Sequence, residues 1–220
     1  MRKNQIPESS RLQLSVLARL AAITSLSSLV VMVLMVLIAG AITPGYSHVA
    51  QFISELGARE AAHQWSVRFL GFLPVGILLL SFCFFAYAAL PRSRATTLGL
   101  IGLALYAAGY LVAAAFPCDP GCRPSVPSTS QLIHTAGGMV GYVLAPAFLF
   151  ILARAARSWP GAASLVIVGY GAAGLSLLGL LTLSPSLPTV GLSQRLLEAS
   201  VLVWSALCGS YVAKRSASGV

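Results

Sequence analysis

Apolar residues run through this chain in six long blocks separated by short polar stretches, near residues 16–41, 66–90, 96–116, 133–153, 161–183 and 196–213. A hydrocarbon layer about 30 Å thick is crossed by roughly 20 apolar helical residues, and each block has that length with no charge near its centre. The pattern predicts an all-α, polytopic membrane protein whose six transmembrane helices form one bundle. The connecting stretches leave no room for a soluble domain, so residues 1–15 and 214–220 are read as tails.

Polar residues in the connections sharpen this picture. In SHVAQFISELG, residues 47–57, the apolar positions Val49, Phe52, Ile53 and Leu56 follow helical spacing, while His48, Gln51 and Glu55 line another face. With Ser47 as N-cap and Gly57 as C-cap, the stretch predicts a short amphipathic helix lying over one end of the bundle. The stretch from Phe116 to His134 contains four prolines and predicts a constrained cap. It also holds Cys118 and Cys122, the two cysteines outside the apolar blocks, either as a disulfide or as free thiols. A zinc site from this pair lacks a clear fourth ligand, and no metal or cofactor is assigned.

Composition enters as a check. Hydrophobic residues make up 57% of the chain and charged residues 9%, which excludes an ordinary soluble domain. The net charge of +9 comes from scattered Lys and Arg without a basic stripe, so membrane lipids rather than nucleic acid are the expected partners. Ten of the fourteen basic residues (Arg2, Lys3, Arg11, Arg19, Arg92, Arg94, Arg154, Arg157, Lys214 and Arg215) fall at one set of helix ends. The positive-inside rule then places both termini in the cytoplasm of a bacterial-type inner membrane. The first block is too long for a signal-peptide core and reads as a retained anchor.

On that topology Glu55, Glu60, Asp119, Glu198 and all three histidines collect at the outer end. Arg68 and Glu198 stand within the first turns of helices two and six, where an ionisable group calls for a partner. Arg195 and Glu198 are spaced as an i, i+3 ion pair. Pro74 predicts a kink in helix two. Gly137 and Gly141 in helix four, and Gly169, Gly171 and Gly174 in helix five, predict close helix packing. Helices one, three and five carry little beyond Ser and Tyr near mid-membrane, which argues against an ion-coupled transporter.

The order of ISELG at Ile53–Gly57, FPCD at Phe116–Asp119 and a histidine, His134, opening the next helix resembles the bacterial membrane family called domain of unknown function 998. More distantly, the layout is similar to the Frag1/DRAM/Sfk1 membrane proteins, some of which are linked to lipid-anchor remodelling. The first resemblance implies a six-helix fold, points to Ser54, Glu55, Gly57, Asp119 and His134, and implies no activity. Two readings follow. In one, the polar cluster binds a lipid or headgroup or serves a structural role, with His48, Gln51, Arg68, Arg195 and Glu198 as the contact set. In the other, a membrane hydrolase or transferase acts on a lipid-borne group, with His134 as general base or ligand, Asp119 orienting it, Glu55 as acid/base and Ser54 as nucleophile. Both expect Glu55, Arg68, Asp119 and His134 to converge.

Overall fold

The computed structural model describes residues 8–217, with side chains from Leu12 onward. Arg2, Lys3, the side chain of Arg11 and the last three residues lie outside that description. Six helices are long and apolar enough to cross a membrane: α1 (Glu8–Ile42), α2 (Gln64–Ala89), α3 (Arg94–Ala115), α4 (Thr129–Ala156), α5 (Ala163–Leu181) and α6 (Val190–Ala217). They form a ring in which each helix packs on its chain neighbours and α6 closes against α1.

Close backbone approach sets the α3–α4 seam. A Cβ on Gly109 would lie 3.0 Å from the Gly137 carbonyl oxygen, and one on Gly141 would lie 2.9 Å from the Tyr106 Cα. Without side chains there, dispersion contacts between the two backbones replace those with lipid. Helix α5 departs from the expected crowding. Gly169 does pack on Ala153 and Trp204, but a Cβ on Gly171 or Gly174 would meet nothing within 4 Å.

Helix α2 contains a π-helical stretch, Val67–Phe72, directly before Pro74. Proline cannot donate to the Leu70 carbonyl, and the Leu73 amide instead bonds Arg68 O across a π turn. The widened turn lets the chain pass the proline without a break.

Residues 47–57 do not form one helix. A turn at 48–50 is followed by a 3₁₀ helix, Ile53–Gly57, with Phe52 extended before it. Ile53 and Leu56 are buried, whereas Val49 is 48% exposed. The break has a tertiary cause, since this backbone is laid on the first turn of α6. The Leu192 amide donates to Val49 O at 3.0 Å, and a Cβ on Gly191 would sit 2.2 Å from Gln51 O. Gly57 is tightly packed: a Cβ there would lie 3.0 Å from the Phe72 ring and 3.1 Å from Val67. Helix α6 accordingly starts at Val190, so Gln194, Arg195 and Glu198 all lie inside it.

Candidate functional site

Three loops meet at one end of the ring and form a cap. Arg123 ties them together: its Nη1 donates to Pro185 O at 3.0 Å, its Nη2 to Ala50 O at 3.1 Å, and its guanidinium lies over the Phe52 ring. Cys118 and Cys122 are joined in a disulfide that closes the loop between α3 and α4. Ser54 borders this bridge, with its hydroxyl 3.5 Å from Cys122 Sγ.

The expected convergence of Glu55, Arg68, Asp119 and His134 does not occur. Among the described residues no carboxylate lies within 4 Å of Arg68 or His134. Arg68 instead caps the C-terminus of α3: its Nε donates to Ala114 O at 2.8 Å and its Nη2 to Ala115 O at 3.2 Å. Carbonyls at a helix end lack intrahelical donors and carry the negative end of the dipole, so a buried cation is neutralised there without a carboxylate. Its guanidinium also lies over the rings of Trp65 and Phe69.

Glu55 and Asp119 brace the cap. Glu55 accepts from the Phe52 amide at 2.9 Å and from Gln51 Nε2 at 2.8 Å, fixing the 3₁₀ turn. Gln51 Oε1 in turn accepts from the Ser47 amide. Asp119 accepts from the Ser128 amide at 2.8 Å and its hydroxyl at 2.7 Å, with Arg59 3.7 Å away. The two Ser128 donors hold the Asp119 carboxyl below the usual carboxylate range. Ser128 is itself the N-cap of α4.

Arg195 and Glu198 do not pair either; they leave α6 in different directions. Arg195 holds the first loop, donating through Nη2 to Tyr46 Oη at 2.6 Å and to His48 Nδ1 at 3.0 Å, and through Nη1 to Gln51 O at 3.1 Å. Because the guanidinium only donates, His48 Nδ1 must accept, so His48 is neutral in this contact. Burial, and then Arg195, lower the His48 pKa.

Glu198, expected in the contact set with Arg195, faces the bundle interior and meets phenols there instead of an arginine. Its Oε2 accepts from both Tyr106 and Tyr110, and its Oε1 accepts from Tyr142 Oη at 2.5 Å. The direction of this network follows from Gln194. Its Oε1 accepts from the Ile53 amide at 2.7 Å, so its Nε2 donates to Tyr142 Oη, also at 2.7 Å. The Tyr142 proton is then free to go to Glu198. A chain of hydrogen bonds therefore runs from the cap backbone through α6 and α4 to a buried carboxylate with three phenol donors.

Above this carboxylate lies a pocket of about 230 Å³. Of the expected residues, Ser54, Cys122, His134 and Glu198 line it; Glu55, Asp119, Arg68, Arg195, His48 and Gln51 do not. His134 Nδ1 donates to Phe116 O at 2.8 Å, which fixes the ring; in the neutral imidazole Nε2 is then the acceptor. Met32, Phe72 and Leu183 supply apolar wall. The lining residues Thr135, Met139 and Pro185 are exposed, and a Cβ on Gly138 would meet nothing within 4 Å. The pocket is therefore open on the side between α4 and the α5–α6 loop.

The geometry describes a multi-pass membrane protein with a capped, side-opening pocket. A family model described as "Protein of unknown function (DUF998)" matches residues 26–211, and the chain belongs to that family. No curated protein and no solved structure matches the chain.

Proposed function

We propose that this protein binds a membrane amphiphile, taking its polar head into the pocket beneath the cap while the tail leaves between α4 and the α5–α6 loop. The observation that carries this reading is the one-sided opening of the pocket, at Thr135, Met139 and Pro185, combined with its polar floor at Glu198. Pockets that hold whole small molecules commonly measure about 300–1,000 Å³. At about 230 Å³ this one suits a headgroup and its first carbons. The hydrolase alternative has less support: His134 holds a backbone carbonyl where a catalytic histidine would hold a carboxylate, and Asp119 and Glu55 are engaged in the loops.

Glycine 138 offers the test, because it lines the pocket and a Cβ there would meet nothing within 4 Å, so a bulky side chain can be started at the pocket wall without a clash. Native mass spectrometry of protein released from nanodiscs should show a retained amphiphile on the wild type and its loss from Gly138→Trp. Equal retention by both would place the ligand elsewhere.

In this reading the membrane is a bacterial inner membrane with the cap outside. Support comes from the Lys and Arg distribution: among the described residues Arg59, Arg68, Arg123 and Arg195 lie at the capped end, while Arg19, Arg92, Arg94, Arg154, Arg157, Lys214 and Arg215 lie toward the other. A C-terminal reporter active only outside the cytoplasm should be silent, and strong activity would reverse the orientation.

A further inference from the structure

We propose that the head taken into this pocket is an organic ammonium group, so that the ligand is a cationic amphiphile. The inference rests on the reading of the pocket as an amphiphile site and adds the chemistry of the head.

Charge placement is the first argument. The chain carries fourteen Lys and Arg against five Asp and Glu, yet among the described residues no Lys or Arg lines the pocket and one carboxylate does. Every basic side chain at the capped end is turned elsewhere: Arg68 to the end of α3, Arg195 to the first loop, Arg123 across the cap, and Arg59 toward Asp119. A phosphate head would need such groups, since buried phosphates are held by Arg, Lys or arrays of N–H donors. In their place the walls contribute Phe52, Phe72, Tyr106, Tyr110 and Tyr142. Aromatic rings grouped beside a carboxylate attract quaternary and primary ammonium ions through the ring quadrupole, an interaction strengthened where water is excluded.

The hydrogen-bond inventory adds to the charge argument. The phenol protons of Tyr106, Tyr110 and Tyr142 are directed at Glu198, and Gln194 is engaged through both its oxygen and its nitrogen. Gln131 is likewise engaged, accepting from the Asp119 amide and donating to Thr135 Oγ1. Ser54 and Thr135 each keep a hydroxyl proton, and each glutamine keeps a second N–H, but all of these are neutral groups. The one charge that the lining offers is Glu198, whose remaining lone-pair capacity a cationic head meets and an anionic head opposes.

Two photoreactive probes with the same twelve-carbon tail test the inference, one ending in trimethylammonium and the other in phosphate. Each is added at equal concentration to the wild-type protein in nanodiscs of neutral lipid, and labelled residues are mapped by mass spectrometry. Labelling of pocket residues such as Phe52 or Met139 should favour the ammonium probe by about tenfold, a difference of about 1.4 kcal/mol. Unlabelled hexyltrimethylammonium should compete it away while hexyl phosphate should not, a comparison that needs no substituted protein. Glu198→Gln, which keeps shape and one acceptor, should reduce ammonium labelling by a similar factor. Equal or stronger pocket labelling by the phosphate probe would overturn the ammonium assignment and leave the amphiphile site standing. Competition by tetramethylammonium as strong as that of the hexyl compound would overturn the amphiphile reading instead, as would labelling by neither probe within the pocket.

Discussion

Tyr142 on α4 donates to Glu198 on α6 at 2.5 Å, across a ring in which α5 stands between their two helices in sequence. With Tyr106 and Tyr110 of α3 bonded to the same carboxylate, three helices are joined at one residue. Removing the acceptor leaves the Tyr142 proton unmet, and at least one proton of the Tyr106–Tyr110 pair, whose hydroxyls lie 3.2 Å apart, each unmet group costing about 1–3 kcal/mol where it is buried. Glu198→Ala should therefore lower thermal stability in nanodiscs by clearly more than Tyr142→Phe, which removes one donor. Indifference to Glu198→Ala would mean that the network does not hold the helices together.

Neighbouring glycines on α4 should respond in opposite ways. A methyl at Gly141 meets the Tyr106 backbone, which cannot yield, and overpacking of this kind costs about 1–3 kcal/mol. A methyl at Gly138 projects into open space. Gly141→Ala should lower the Tm by several degrees, whereas Gly138→Ala should change stability by no more than about 0.5 kcal/mol. Equal effects at both positions would contradict the α3–α4 seam.

The helices were legible because length and apolarity alone decide what can cross a bilayer. Arg195 and Glu198 show where that reasoning stops. Their i, i+3 spacing suggested an ion pair, but α6 starts six residues before its apolar block and the loop laid on its first turn draws Arg195 away. Only the closed ring shows that Glu198 faces α3 and α4. A signal was nonetheless present: Tyr106 and Tyr110, like Gln194 and Glu198, are polar residues four apart inside membrane helices, and such residues face the bundle interior. Arg68 is legible as a group that needs a partner, but the partner itself is not. Its partners are backbone carbonyls at the end of another helix, which no side-chain pairing rule reveals.

The first loop should loosen in mild acid. His48 accepts from Arg195 and must be neutral to do so, and its folded pKa is lowered by burial and then by Arg195. A histidine with a lowered folded pKa adds stability above its unfolded value, about 6.5, and that stability is lost as pH falls from there toward the folded pKa. Asp119, with its carboxyl also lowered, acts in a separate window below about pH 4. Thermal unfolding between pH 7.5 and 5.5 should show a decline in the wild type that is clearly smaller in His48→Asn. A parallel decline in both proteins would remove His48 from the explanation.

The most direct test of the amphiphile site is a high-resolution cryo-electron microscopy map of the wild-type protein in nanodiscs of its native membrane lipids. The account predicts an elongated density with one end within hydrogen-bond or ion-pair distance of Glu198 and the other passing Met139 into the lipid beside α4. A well-resolved pocket whose walls have closed onto one another, with Met139 packed against Leu183 and no density between them, would contradict it.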